Sequence, residues 1–325
     1  MNVIYYQIDY NCILTMQFVA DALIKNSGKN VVFWAPDELD TWQRVKQYKN
    51  KINDLCKNTN TTAEFWEGNL SGENSFVYDR IKFVNWKYFC IPYTLGKYKI
   101  SEQNKKTDTF DYLFVSLNRS ALPHKCFFIE TLCEYDLIEN NLVSWHKLNF
   151  IDFDFKHFDS QPLILDDISS GVEIVNYPPY YHQAFIDLVC ESFHDQPDIS
   201  EKTYKAIAAK KPFISIGYKG LYKTLQGLGF LLYDEIFNYD FDEYEQFEDR
   251  VRNVIKQVKS LEGKDYKLLK QKIQNKLEHN YKTLIELGND LPNEVKLFCE
   301  NNVVPHYVDV FDYIKRDRHH HNFVL

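Results

Sequence analysis

Residues 184–233 read AFIDLVCESFHDQPDISEKTYKAIAAKKPFISIGYKGLYKTLQGLGFLLY, and their alternation sets the architecture. Ala184 to Cys190 is apolar and reads as a strand. Glu191 to Ile199 is a polar loop. Ser200 is a helix N-cap, and Glu201 to Ala209 is a helix with Tyr204, Ile207 and Ala208 on one face. Pro212 ends that helix, and Phe213 to Ile216 forms the next strand. Gly217 to Gly220 is a second loop, Leu221 to Leu228 a second helix closed by Gly229, and Phe230 to Tyr233 a third strand. Strand, loop, helix repeated in this way makes half of a nucleotide-type α/β sheet.

Outward from there the same alternation recurs. Tyr112 to Leu117 is a strand, Asn118 to Ser120 a loop, and Leu122 to Tyr135 a helix. Residues 144–182 are aromatic and irregular. Two long helices follow the quoted stretch, from Glu243 to Leu261 and from Tyr266 to Leu287. Near the N-terminus, Val3 to Ile8 is a strand. Leu14 to Lys25 is a helix closed at Ser27-Gly28, and Val31 to Trp34 is a strand stopped by Pro36. Asp40 to Leu55 is a polar helix and Ala63 to Trp66 a third strand. Ser101 to Thr109, SEQNKKTDT, holds no apolar residue and marks a linker. The expected domains are therefore 1–107 and 108–325.

Composition narrows the classes. With 325 residues, 45% hydrophobic and 26% charged, the chain is long enough for about two domains without staples. Its 24 Phe, 23 Tyr and 5 Trp exclude disorder as the main state. Mean hydropathy is −0.44, and no run of 18 apolar residues predicts a membrane span. The N-terminus shows no basic segment before an apolar one, so no signal peptide is expected, and the expected location is cytoplasmic. A net charge of −8 argues against gripping nucleic acid through its phosphates. The 7 Cys contain no CxxC pair and read as reduced thiols rather than disulfides or a zinc site. His319, His320 and His321 read as an exposed cluster near the C-terminus. Neither GxGxxG nor GxxxxGK[ST] occurs, and only 11 Gly are available, so ordinary dinucleotide and P-loop sites are disfavoured.

The chemistry concentrates between Asp187 and Gly217. A helix N-terminus has unpaired N–H groups and a partial positive charge, which suits a phosphate. Lys202 adds a full charge in that first turn, and Glu201 can accept hydrogen bonds from a ribose diol. In open α/β sheets ligands lie beyond the carboxyl ends of the strands, where this loop belongs. The plain alternative is a surface lysine and an ordinary helix-start glutamate.

The pieces Cys190-Glu191-Ser192, Ser200-Glu201-Lys202 and Lys211-Pro212-Phe213-Ile214, with Phe114-Val115-Ser116-Leu117-Asn118-Arg119 upstream, resemble the donor domain of the α1,3-fucosyltransferase family. The likeness covers roughly residues 110–260 and rests on the order and spacing of four pieces. It implies two Rossmann-like domains facing a cleft, the GT-B arrangement, with long C-terminal helices. It implies transfer of fucose or a similar sugar from a GDP- or UDP-linked donor to a glycan or other hydroxyl acceptor, inverting and independent of metal or cofactor. By the resemblance, Glu201 holds the ribose, Lys202 and Arg119 hold the diphosphate, and Asn118, Ser200 and Glu191 complete the donor site. An inverting reaction needs a base for the acceptor hydroxyl. The family often places that carboxylate in a Glu-Ser-Pro setting. Here the matching stretch is Ala35-Pro36-Asp37-Glu38, so Asp37 and Glu38 follow the proline and the role does not transfer directly. They are the expected catalytic pair, with Asp9 and Glu67 as further candidates near strand ends.

Three other readings use the same residues. Asp152-Phe153-Asp154 or Asp240-Phe241-Asp242 matches the Asp-x-Asp of a metal-dependent glycosyltransferase. A scaffold that binds a nucleotide or glycan without turnover needs no base at all. A transferase acting on a nucleic-acid base would use a patch at Arg44, Lys46, Lys49, Lys51 and Lys57, against the acidic net charge.

Overall fold

A computed structural model describes residues 3–7, 16–35, 41–67, 76–85, 109–148, 152–165, 177–195 and 197–289. They fall into two compact units, each built on its own sheet.

The first unit has strands β1 (Val3–Gln7), β2 (Asn30–Ala35), β3 (Thr62–Glu67), β4 (Phe76–Tyr78) and β5 (Ile81–Asn85), in the order β1-β2-β3-β5-β4. Helix α1 (Met16–Lys25) joins β1 to β2, and α2 (Thr41–Asn58) joins β2 to β3. These crossovers make every pair parallel except the β4–β5 hairpin. The hairpin, on which the sequence reading was silent, turns at Asp79, whose φ is 50°. One aromatic side chain per strand meets at a single level: Tyr6, Phe33, Phe65 and Phe83 are mutual register partners. Their rings stack, with centroids 5.7, 4.9 and 5.4 Å apart. Leu23 of α1 and Ile52 and Cys56 of α2 close the same core. Gly28 takes φ 79° after α1, as the helix-closing signal predicts.

The second unit carries a fully parallel sheet, β7-β6-β8-β9, made of β6 (Tyr112–Ser120), β7 (Leu142–Leu148), β8 (Ala184–Cys190) and β9 (Phe213–Ile216). Helix α3 (Pro123–Glu134) links β6 to β7, and α4 (Glu201–Ala208) links β8 to β9. Then come α5 (Leu221–Gly227), α6 (Phe247–Lys259) and α7 (Tyr266–Asn289). Helix α3 packs on α6, and α4 on α7. Every residue of β8 and β9 is buried: β8 is an inner strand, and β9, at the sheet edge, is covered by α4 and α6. Each large apolar side chain buried this way contributes about 1.5–3 kcal/mol.

Three expectations are corrected. Asn118–Ser120 is not a loop, because β6 continues to Ser120 and a register shift lies between Asn118 and Ser120. The irregular reading of 144–182 misses β7, which pairs with β6, and the Trp145–Leu163 bridge. Phe230–Tyr233 is not a strand. Phe230 and Tyr233 are buried, but the backbone of Leu231 is bonded by a side chain: its N–H donates to Asn280 Oδ1 at 2.7 Å, and its carbonyl accepts from Asn280 Nδ2 at 2.9 Å. A side chain of α7 thus replaces the strand partner. The boundary placed at residue 107 lies outside the described residues.

Candidate functional site

In the parallel sheet of the second unit, β6, β8 and β9 all finish at one edge. The loop after β8 crosses that edge and enters α4. Ser200 has φ −80° and ψ 174°, and its Oγ accepts from the Lys202 N–H at 3.3 Å, which is the N-cap the sequence predicts. The Ser200 hydroxyl in turn donates to Glu191 Oε2, and Thr203 donates to Glu191 Oε1 at 2.5 Å. Ser215 of β9 joins through Thr203 at 2.6 Å, and its N–H donates to the Tyr222 hydroxyl at 2.6 Å. Glu191 has no exposed surface and ties β8, α4 and β9 together. Gly217 permits this packing. A Cβ there would meet Leu221 Cδ1 at 2.7 Å and the Glu191 side chain at 3.3 Å.

Lys202 points back over the cap. Its Nζ donates to Ser192 Oγ at 2.9 Å, Ser200 Oγ at 3.3 Å and Glu201 Oε1 at 3.2 Å. Burial opposes its charge, but the carboxylates of Glu201 and Glu191 outweigh burial and hold the ammonium protonated. Burial likewise works against the Glu201 carboxylate, and Lys202 overcomes it and pulls that carboxyl below its usual range. The result is a partly exposed, ionised Glu–Lys pair at the mouth of a helix dipole.

Helix α3 starts at the end of β6 and brings a second cation. Lys125, its third residue, is 3% exposed. Burial pushes it down to about 8, and the facing Lys202 adds to the shift. Beside it, the His124 Nε2 donates to the Glu191 carbonyl at 3.2 Å, and burial holds the ring near about 4, so it is neutral. The His124 and His194 rings lie 4.9 Å apart, with Phe247 of α6 against both. Arg250 of α6 pins the surrounding loops. It donates to the carbonyls of His194 at 3.2 Å, Gly217 at 3.0 Å and Tyr244 at 2.7 Å.

Of the expected residues, Glu191, Ser200, Glu201 and Lys202 form one contiguous group. Asn118 and Arg119 sit at the end of β6, on the same sheet edge but with no hydrogen bond or ion pair to that group among the described residues. Asn118 is 2% exposed, donates to Ser116 Oγ at 3.0 Å, and leaves its Oδ1 without a partner among the described residues. Arg119 is exposed. Asp9, Asp37 and Glu38 lie outside the described residues, and Glu67 is the last residue of β3. The sequence reading missed Lys125 and His124. The signal was present, since Pro123-His124-Lys125 opens a helix directly after a strand, the same logic that singled out Lys202.

The metal-type strings have structural uses or none in common. Asp242 accepts the N–H of Tyr222 at 2.9 Å and so caps α5, while Asp240 accepts from Asn238 at 3.0 Å. Asp152 and Asp154 are both exposed. Among the described residues no three His, Cys, Asp or Glu side chains cluster as metal ligands. On α2, Lys57 is paired with Asp79 at 2.7 Å and Lys49 lies over the Tyr78 ring, so the supposed basic patch is partly engaged. No helix among the described residues is long and apolar enough to cross a membrane.

No family model matches the chain, and no curated protein matches it. A search of solved structures finds a crystal structure of an alpha1,3-fucosyltransferase. It is 10% identical, with a TM-score of 0.41, and the match covers 94% of this chain and 92% of that one.

Proposed function

We propose that this chain is a glycosyltransferase that moves a sugar from a nucleoside-diphosphate donor to a hydroxyl acceptor, with inversion and without a metal. The observation that carries the reading is the convergence of two lysines, Lys125 and Lys202, from the first turns of two helices at the carboxyl edge of a parallel sheet. In this reading the two ammonium groups and the α4 dipole take the diphosphate, and Glu201 takes the ribose hydroxyls. Arg119 lies on the same edge and is put forward as a third cation. When the bond from the anomeric carbon to the phosphate oxygen breaks, its electron pair stays on that oxygen. Fixed cations aimed there stabilise the charge as it develops. The acceptor hydroxyl adds to the anomeric carbon and gives its proton to a carboxylate, for which Asp37 and Glu38 are the residues put forward. Fucose remains the sugar that the sequence resemblance suggests.

Thermal shift against GDP, UDP and their sugars, with EDTA and with manganese, tests this. Ligand at 100 times its dissociation constant adds about 2.7 kcal/mol. The expected result is stabilisation by one nucleotide class that EDTA leaves unchanged. Stabilisation only with manganese would replace the reading with the metal-dependent one, and a flat screen would remove the enzyme reading.

A further inference from the structure

Helix α6 turns two different faces to its surroundings. Phe247, Val251, Val254, Ile255 and Val258 are buried against the unit. Asp249, Arg252, Asn253 and Lys256 follow the spacing i, i+3, i+4, i+7 and share another stripe. A charged stripe on a helix is ordinarily a solvated face, but this one is not flat. With Tyr244, which precedes the helix, the four residues line a cavity of about 320 Å³. That lies at the small end of the range for ligand pockets.

Two walls of the cavity are fixed by bonds to other parts of the unit. Arg250 donates to the Tyr244 carbonyl at 2.7 Å, while Tyr244 itself stays 38% exposed. The Arg252 guanidinium donates to Glu134 of α3 at 2.7 Å and lies 5.3 Å from the centre of the Phe127 ring. Asn253 Oδ1 accepts from Gln257 at 2.7 Å, which orients the amide. The lining thus offers one phenol ring, one carboxylate, one amide and two cations. Each has a counterpart in a sugar. A ring packs against the C–H face of a pyranose, and a carboxylate and an amide accept from and donate to its hydroxyls. The excess of one positive charge calls for an acid on the same ligand, and the planar guanidinium suits a carboxylate. A bare phosphate would leave the ring idle and meet Asp249.

We propose that this cavity is a saccharide subsite that takes a sugar bearing a carboxylate. Arg250 connects it to the strand-edge site, because its other terminal nitrogen donates to the His194 and Gly217 carbonyls at 3.2 and 3.0 Å. One side chain therefore braces both the cavity wall and the donor edge. A role as an outer subsite for the acceptor glycan rests on the glycosyltransferase reading, whereas the binding of the sugar does not.

The test is ligand-observed NMR titration of the full chain with glucuronic acid, glucose and inorganic phosphate, and separately with GDP and UDP. Wild type is compared with Tyr244→Ala and Lys256→Gln, both at exposed positions away from the core. Glucuronic acid should bind about tenfold more tightly than glucose, and Lys256→Gln should reduce that preference to about threefold. Tyr244→Ala should weaken both sugars about tenfold. Nucleotide binding should be the same in all three proteins. Equal affinity for the two sugars would overturn the proposal, as would phosphate binding as tightly as glucuronic acid. Sugar binding that neither variant changes, or no sugar binding at all, would overturn it too. Nucleotide binding in those cases leaves the donor reading intact. The expected sugar binding without any nucleotide binding would support the subsite and remove the donor reading.

Discussion

Lys202 sits at the meeting of three hydrogen bonds and a helix dipole, and its energetic weight can be stated. A charge-assisted hydrogen bond to phosphate contributes about 1.5–3 kcal/mol. Lys202→Ala should weaken nucleoside-diphosphate binding about tenfold to hundredfold, measured by titration. The fold should persist, because the Ser200–Glu191–Thr203 links do not involve the ammonium. Retained affinity in a folded variant would displace Lys202 from the site. The motif around Lys202 was legible in the sequence because capping, charge and strand-end position are all local properties. Glu191 was legible only as a polar residue after a strand. Its complete burial depends on Gly217 and Thr203 closing over it, and those contacts join residues far apart in the chain. Lys125 escaped for another reason. Arg119 comes from the family resemblance, whose quoted piece stops at the end of β6 and does not reach the first turn of the helix behind it.

Among elements, α7 has a role that its own sequence does not announce. Asn280, 1% exposed, bonds both backbone groups of Leu231 and lies 3.2 Å from the Tyr233 hydroxyl. Asn280→Ala removes the partner of the Leu231 N–H and carbonyl, both part-buried, and a net loss of about 0.5–1.5 kcal/mol per hydrogen bond follows. The variant should unfold at clearly lower denaturant with an unchanged slope, and an unaltered midpoint would show that water replaces the amide. Residues 230–233 look like a strand because burial of Phe230 and Tyr233 gives them the right pattern, but hydrogen-bond partners carry no such local mark. Strand β7 shows the converse. It carries Ser144, His146 and Lys147 before its last residue, Leu148, so its apolar pattern is diluted, and its pairing follows from its neighbour β6. Strands β8 and β9 were read correctly because both are mostly apolar between clear loop and helix signals, with only Asp187 and Ser215 interrupting them.

At the scale of the whole molecule, the titration of buried groups sets an acid limit. Burial holds His124 and His182 near about 4, well under the ordinary imidazole value. Between 4 and 6.5 the unfolded chain therefore binds more protons than the folded one, and stability falls as pH falls through that window. Asp187 and Asp242, whose carboxyls burial pushes up, act in the opposite sense and soften the fall. Melting temperature followed from pH 7 to pH 4 should drop, and His124→Gln should drop less steeply than wild type. Equal slopes would mean that the His124 ring is already solvated in the folded state.

Tyr6, Phe33, Phe65 and Phe83 form a stack with one ring from each of β1, β2, β3 and β5. A strand that slips by one residue turns its ring to the opposite face of the sheet. Such a slip breaks the column at that rung and leaves an aromatic side chain in water. The stack thus ties register to burial across the sheet: a misaligned strand forfeits the ring contacts that its neighbours offer.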